Sequence, residues 1–282
     1  MARERWRQAR WATAAFFFTL GMAFGSWVAR IPAVQNRLEL DDAQLGISLL
    51  SLSAGAIVAM PTTGWLIRQW GNGRVMWAAA TMLCVSLPLL PAAPAMPLLM
   101  IALFVFGAGF GLLDVSMNVQ AVAVEERHGL PIMSSFHGMF SVGGLVGSAT
   151  AGAIAGLGIA PVPHLVVVGL LLLALVTAAS RYLLETAARR DDAPLFAIPP
   201  RSLLGLGALS FCVFLSEGAV ADWSAVYLEN VLGTSAAIAA TGYAAFSLAM
   251  VGMRFSGDAL TLRIGPVRLV RIGGLLAGLG LG

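Results

Sequence analysis

Long apolar stretches separated by short polar segments dominate the chain. The runs fall at about 11 to 30, 43 to 67, 75 to 92, 97 to 124, 134 to 158, 162 to 184, 202 to 228 and 236 to 262. About 20 apolar residues in helical form cross the hydrocarbon core of a bilayer, so the pattern predicts eight complete membrane spans. A ninth run opens near Pro266, but only 11 residues follow Arg271, about 16 Å of helix; it is expected to stop before crossing. Arg3, Arg5, Arg7 and Arg10 precede the apolar run from Trp11, which superficially matches a secretory signal peptide. No A-x-A-like cleavage site follows and further spans do, so the segment is read as an uncleaved first helix.

Composition excludes a soluble fold. Of 282 residues, 59% are hydrophobic and 11% charged, and the mean hydropathy is +0.85. Net charge +3 and a pI near 9.4 could suggest nucleic-acid binding, but all 17 basic residues are arginines clustered between apolar runs, where they act as topology signals. With the N-terminus inside, fourteen of them lie on the cytoplasmic side and two, Arg30 and Arg37, on the outer side, while Arg254 lies within the eighth run. The N-terminus is therefore expected in the cytoplasm and the protein in a bacterial inner membrane. Cys84 and Cys212 sit inside apolar runs without metal-ligand spacing, so neither a metal site nor a disulfide is expected.

The one long polar connection, Glu185 to Arg201, contains ARRDDAP and a Pro-Pro pair and reads as a cytoplasmic linker between two bundles. It divides the chain into a six-helix bundle (1–184), the linker (185–201) and a partial second bundle (202–282). A weak internal repeat agrees. GMAFGSW at Gly21 to Trp27 stands opposite EGAVADW at Glu217 to Trp223, Gly46 and Gly242 each follow their Trp by nineteen residues, and RQWGNGR at Arg68 to Arg74 stands opposite LRIGPVR at Leu262 to Arg268. Repeated halves of this kind are a transporter signature.

Six spans, a linker and a second copy resemble the major facilitator superfamily, whose complete members have twelve helices in two bundles around a cavity. The resemblance implies an all-α polytopic membrane protein of that fold, with an incomplete second bundle. The family's loop after its second helix, Gly-x-x-x-Asp-Arg-x-Gly-Arg-Arg, is matched by Gly64, Gly71 and Arg74, while Arg68 stands at the Asp position and Gln69 at the Arg position. More specific strings are GSWVARIPAVQ (25–35), LLDVSMNVQAVAVE (112–125), PIMSSFHGMFSVGG (131–144) and FLSEGAVADWSAVYL (214–228). Together they resemble the YbjJ-like inner-membrane group, related to the fucose permeases and including proteins linked to rhizopine, an inositol derivative. A sugar or polyol-like solute is what that resemblance implies. In the permease pattern an acidic residue and an Asn four places later handle proton and sugar; Asp114 and Asn118 occupy those positions. The permease's first-helix acidic residue is not matched, since Val28 falls there.

Charged groups inside spans usually face a cavity or a partner. Asp114 lies near the midplane on a stripe with Gly107, Gly111 and Asn118, which either lines a path or permits close helix contact. It is expected to carry a proton or to hydrogen-bond between helices. Glu217 lies at a similar depth and has the same two readings. Asp222 is nearer the outer end and is expected either in the cavity or in a helix-end contact. Arg30 is expected to pair with Glu39, Asp41 or Asp42, or to hold an anionic group. Trp27 and Trp223 are expected as interface anchors or as stacking platforms for a sugar ring. His137 shares a face with Ser141, Gly144 and Ser148 and is a candidate for gating or for a structural bond to a neighbouring helix; His128 and His164 read as loop residues. Arg254 precedes Asp258 by one turn, a spacing that permits an ion pair, and this pair joins Arg68 and Arg74 as gating candidates. No P-loop, HExxH or GxSxG is present, so no enzyme activity, ATP-driven pumping, metal or cofactor is expected. The expected function is a monomeric secondary carrier that moves a small polar solute with protons by alternating access, working in lipid and without nucleic acid. The alternatives are a non-transporting membrane sensor or scaffold, a truncated remnant, and a drug or metabolite exporter of the same fold.

Overall fold

The computed structural model describes residues 2–129, 132–184, 200 and 203–281. Side chains are described from Trp6 onward, with those of Asp258, Leu262, Pro266 and Leu281 excepted. The expected linker, with Arg189, Arg190 and Arg201, lies outside these residues apart from Pro200. The described residues are helical and contain no strand.

Among the described residues, eight helical stretches are long and apolar enough to span a membrane: Trp6–Leu38, Asp42–Trp70, Asn72–Ala92, Met96–His128, Met133–Gly156, Pro161–Ser180, Leu204–Val231 and Ala236–Gly257. Each coincides with one of the eight apolar runs. The first comprises α1 (Ala2–Val28) and a short α2 (Ile31–Leu38), the second is α3 (Asp42–Trp70), and the third comprises α4 (Asn72–Ser86) and α5 (Leu89–Ala92). Then come α6 (Met96–His128), α7 (Met133–Gly156), α8 (Pro161–Ser180) and α9 (Leu204–Val226), which continues into a π-helical turn at Tyr227–Val231. After α10 (Ala236–Ala239) and α11 (Thr241–Ile264), α12 covers Pro266–Leu281. Below, the near end is the end of the bundle at which α1 begins, and the far end is the opposite one.

Local chemistry explains the boundaries. Asp41 and Gln44 form a reciprocal capping box, with Gln44 N donating to Asp41 Oδ1 at 2.8 Å and Asp41 N to Gln44 Oε1 at 3.1 Å; two orphan donors at the start of α3 are thereby satisfied. Proline opens α8 and α12, where its missing N–H costs nothing. Glu125 Oε2 accepts from Ile132 N and Met133 N at 2.7 and 2.8 Å, tying the end of α6 to the start of α7. The turns after α3 and α11 are made on Gly71 (φ 82°, ψ 149°) and Gly265 (φ 82°, ψ 153°), a backbone region that disfavours a side chain. These are the middle residues of the two loops that the internal repeat matches.

Packing is built on small residues. A Cβ on Gly21 or Gly25 would overlap backbone of Phe140 or Gly144, and one on Gly143 or Gly147 would overlap Phe18 O or Met22 O, so α1 and α7 meet backbone to backbone. The same holds for α3 and α6, where Gly55 abuts Phe104 O and Gly107 abuts Leu52 O. Close approach maximises dispersion where lipid leaves no hydrophobic drive between helices. The opposite face of α7 receives α11: Gly138 lies beside Phe255, Gly144 beside Tyr243 and Ser247, and Gly152 beside Ala240. The buried core comes mainly from the first six spans, including Phe16, Phe17, Leu20, Met76, Leu83, Phe106, Leu113, Phe136 and Leu172. Residues 203–215, the near-end half of α9, are all exposed.

The ends are held differently. At the far end Asn230 Nδ2 donates to Gln35 Oε1 at 2.9 Å, Asn36 Nδ2 to Asn230 Oδ1 at 3.4 Å, and Gln35 Nε2 to Asp42 Oδ1 at 3.0 Å. At the near end the Trp6 ring stacks on His128 at 4.3 Å and its Nε1 donates to Val124 O at 3.4 Å. His128 is the last residue of α6 and not a loop residue.

Candidate functional site

The site is built from polar side chains on α6, α7, α9 and α11, with α1 supplying an aromatic wall. On α6, Phe110, Asp114 and Asn118 recur every fourth residue and so share a face. Asn118 Nδ2 donates to Asp114 O at 2.9 Å and, more weakly, to Asp114 Oδ1 at 3.3 Å. Both residues are half-buried. Gly107 and Gly111, the other members of the expected stripe, are buried against Leu52 and Ala56 of α3. Close contact therefore occupies the glycine half of the stripe, and accessible polar surface the other half.

Arg254 on α11 is the most heavily engaged group. Its Nη1 donates to Ser141 Oγ at 2.9 Å and to His137 O at 3.2 Å, both on α7, and its guanidinium stands 5.7 Å from the centroid of the Phe140 ring. Its Nη2 lies 3.8 Å from Glu217 Oε1 on α9, with 22% and 30% of the two side chains exposed. That separation is beyond hydrogen-bond length, so the carboxylate of Glu217 is electrostatically balanced but accepts no hydrogen bond among the described residues. The one-turn pairing of Arg254 with Asp258 concerns a side chain outside the described residues; the ion pair that Arg254 makes among them runs across to Glu217.

Tyr243 connects these groups, and charge-led reading of the sequence overlooks it. It is 4% exposed, bonds Ser247, and lies within electrostatic range of Arg254, Glu217 and Asp222. Its ring meets Phe24 of α1 edge-on at 6.0 Å, and Phe24 meets Phe110 of α6 at 5.6 Å. An aromatic series thus runs from Phe110, one turn from Asp114, to the charged groups on α9 and α11. The signal was present: Tyr243, Ser247 and Arg254 stand at i, i+4 and i+11 on one face of an otherwise apolar run.

The other expected site residues fall around this set. Asp222 is half-buried within α9, on the Tyr243 side. The His137 ring packs edge-on to Phe17 at 5.2 Å, and its backbone carbonyl holds Arg254. Trp223 is half-buried against the core, with Cζ2 3.7 Å from where a Gly46 Cβ would stand. Trp27 is 1% exposed and enclosed by the core, so in this conformation it is neither an interface anchor nor a stacking platform; the tight α1–α7 crossing draws it inward. Arg68 and Arg74 are exposed and make no hydrogen bond or ion pair among the described residues. Between them, Asn72 fixes the loop by donating to Ser116 O at 3.1 Å and Gln120 Oε1 at 3.2 Å on α6.

Arg30 differs from expectation. It is 4% exposed and bonds neither Glu39, Asp41 nor Asp42; its Nε donates to His164 Nδ1 at 3.3 Å, and Glu229 of the π turn lies within electrostatic range. His164 is therefore not a loop residue but a buried member of the first turn of α8, 3% exposed. The bend between α1 and α2 turns Arg30 inward, where a guanidinium requires partners.

Comparison with known proteins agrees with the architecture. The family model described as Major Facilitator Superfamily matches residues 6–282. The chain is 39% identical over 270 residues to an uncharacterized MFS-type transporter of Yersinia pestis, covering 96% of this chain and 70% of that protein. It is 38% identical over 271 residues to an uncharacterized transporter of Sinorhizobium fredii, covering 95% and 72%. To the membrane protein MosC of Rhizobium meliloti it is 34% identical over 275 residues, covering 96% and 66%. The crystal structure of the nucleoside transporter NupG is similar with a TM-score of 0.67 at 12% identity, covering 91% of this chain and 68% of that one. That likeness concerns the fold.

Proposed function

The chain belongs to the Major Facilitator Superfamily, a family of membrane transporters and not of enzymes, and from that premise we propose that it carries a small polar solute, sugar- or polyol-like, together with protons. The solute binds between the α6 face bearing Asp114 and Asn118 and the Glu217, Arg254 and Tyr243 groups of α9 and α11. The proposal includes the YbjJ-like subgroup, a bacterial inner-membrane location, a cytoplasmic N-terminus, which the arginine distribution supports, and two bundles, 1–184 and 202–282, that rock about the solute.

One observation carries this reading. Arg254 spends its hydrogen bonds on α7, yet stands 3.8 Å from a Glu217 carboxylate that accepts no hydrogen bond among the described residues. A purely structural pair would be expected to close to about 2.8 Å. A carboxylate balanced but not saturated can accept a solute hydroxyl or a proton, and Asp114, held chiefly through its neighbour Asn118, offers a second such group. Aromatic faces at Phe24 and Phe110, both half-buried, suit the apolar side of a sugar ring.

The test is counterflow and pH-gradient-driven uptake in proteoliposomes across a panel of sugars, polyols and amphipathic drugs. Sugar or polyol flux stimulated by an imposed proton gradient is expected. Asp114→Asn is expected to abolish the stimulation while leaving membrane insertion intact; unchanged flux would remove Asp114 from the mechanism. Binding of a solute without flux would favour a sensor, and drug flux alone an exporter.

A further inference from the structure

The far-end closure contains a histidine whose neutral form is built into the contact. His164 Nδ1 accepts from Arg30 Nε–H at 3.3 Å, with both side chains more than nine-tenths buried. Accepting at Nδ1 requires that this nitrogen carry no proton. Arg30 also stands at the α1–α2 corner within electrostatic range of Glu229 on the π turn that follows α9. The adjacent residue of that turn, Asn230, bonds Gln35 and Asn36 of α2. His164 and Arg30 are thus bonded between α8 and the α1–α2 corner, and beside them the Asn230 clamp ties α2 to the end of α9.

We propose that His164 is a proton-operated release for this closure: a proton arriving from the far side takes the Nδ1 position, ejects the Arg30 donor and lets α2 part from the π turn. A protonated imidazole beside a guanidinium is a like-charge contact in surroundings that water cannot screen, so the proton and the closed contact exclude each other. By linkage, protons then favour the open arrangement to the extent that they bind it better. The charged groups facing His164 are Arg30 and, beyond it, Glu229. The other helices packed on α8 bring no charge to this end, because α5 has no titratable residue and the charged or titratable residues of α1 (Arg3, Glu4, Arg5, Arg7 and Arg10), α4 (Arg74, with the thiol of Cys84 apart) and α7 (His137) lie toward the near end. Imidazole is the side chain suited to a charge change near neutral pH. The inference deepens the transport reading by giving the proton a point of entry distinct from Asp114.

The experiment needs no solute, so it can fail while transport stands, and the reverse. Spin labels at Ala43→Cys and Leu232→Cys, exposed far-end positions on the two halves, are placed in a Cys84→Ala, Cys212→Ala background in nanodiscs. Distances are measured by double electron–electron resonance at about pH 8 and about pH 4.5, on either side of the usual imidazole range. One short population is expected at the higher pH, and a second, longer one at the lower pH. His164→Asn, whose carbonyl oxygen can replace the Nδ1 acceptor without titrating, is expected to stay short at both, with His164→Gln serving where Asn does not fold. A wild-type distribution that ignores pH, or a response that survives both His164 substitutions, would overturn the proposal.

Discussion

Arg254 shows how much a single residue organises. It reaches α7 through two hydrogen bonds, a Phe140 ring face and Glu217 on α9, so three helices converge on one guanidinium. Its exposure tempers the energetics, since screening reduces a pair with 22% and 30% of its side chains accessible to about 1 kcal/mol of coupling. In a thermal-unfolding double-mutant cycle, Arg254→Gln and Glu217→Gln are each expected to destabilise, and the double variant by less than their sum; full additivity would show that the pair is not coupled. The membership of Asp114 and Glu217 among the polar intramembrane groups was legible in the sequence, because carboxylates in apolar runs are costly and conspicuous. Tyr243 was not, because a phenol is an ordinary residue in such a run until its partners are known. Arg30 and His164 were misread for a different reason: they stand 134 positions apart, and nothing local in either segment indicates the other.

At the scale of the helix, seven of the eight spans were readable to within about five residues, since hydrophobic length is a one-dimensional property; the first extends to Leu38, eight residues past its apolar run, because α2 follows α1. Their faces were harder. The Gly107, Gly111, Asp114, Asn118 stripe was visible as a pattern, but only packing shows that its glycines serve α3 while Asp114 and Asn118 keep accessible surface. Gly107→Ala tests that division. Alanine would gain about 1 kcal/mol of helix propensity, yet its Cβ would overlap the Leu52 carbonyl oxygen, a backbone atom that moves only with its helix. A net loss of about 1–3 kcal/mol, as for other overpacked contacts, is expected as a lower unfolding temperature in detergent. Gly64→Ala, with no atom within 4 Å of the added Cβ, is expected to unfold at or above the wild-type temperature; equal responses of the two variants would refute the packing account.

At the scale of the whole molecule, α7 lies between α1, against which it is locked by glycines, and α11, which brings Tyr243, Ser247 and Arg254 to its other face. The far end is tied through Asn230, whereas residues 203–215 of α9 are exposed toward the near end. The proposed alternating-access cycle requires the far-end tie to break when that end opens. Replacing Asn230 with Ala is accordingly expected to lengthen the far-end spin-label distance at the higher pH, whereas an unchanged distance would show that the clamp does not hold that end. The central claim is that the polar groups on α6, α9 and α11 border a water-filled path. It is tested most directly by placing a cysteine at Asn118 in a Cys84→Ala, Cys212→Ala background and adding a membrane-impermeant maleimide to oriented vesicles. Labelling in the folded protein, faster from the near side than from the far side, is predicted; labelling that appears only after denaturation would contradict the account.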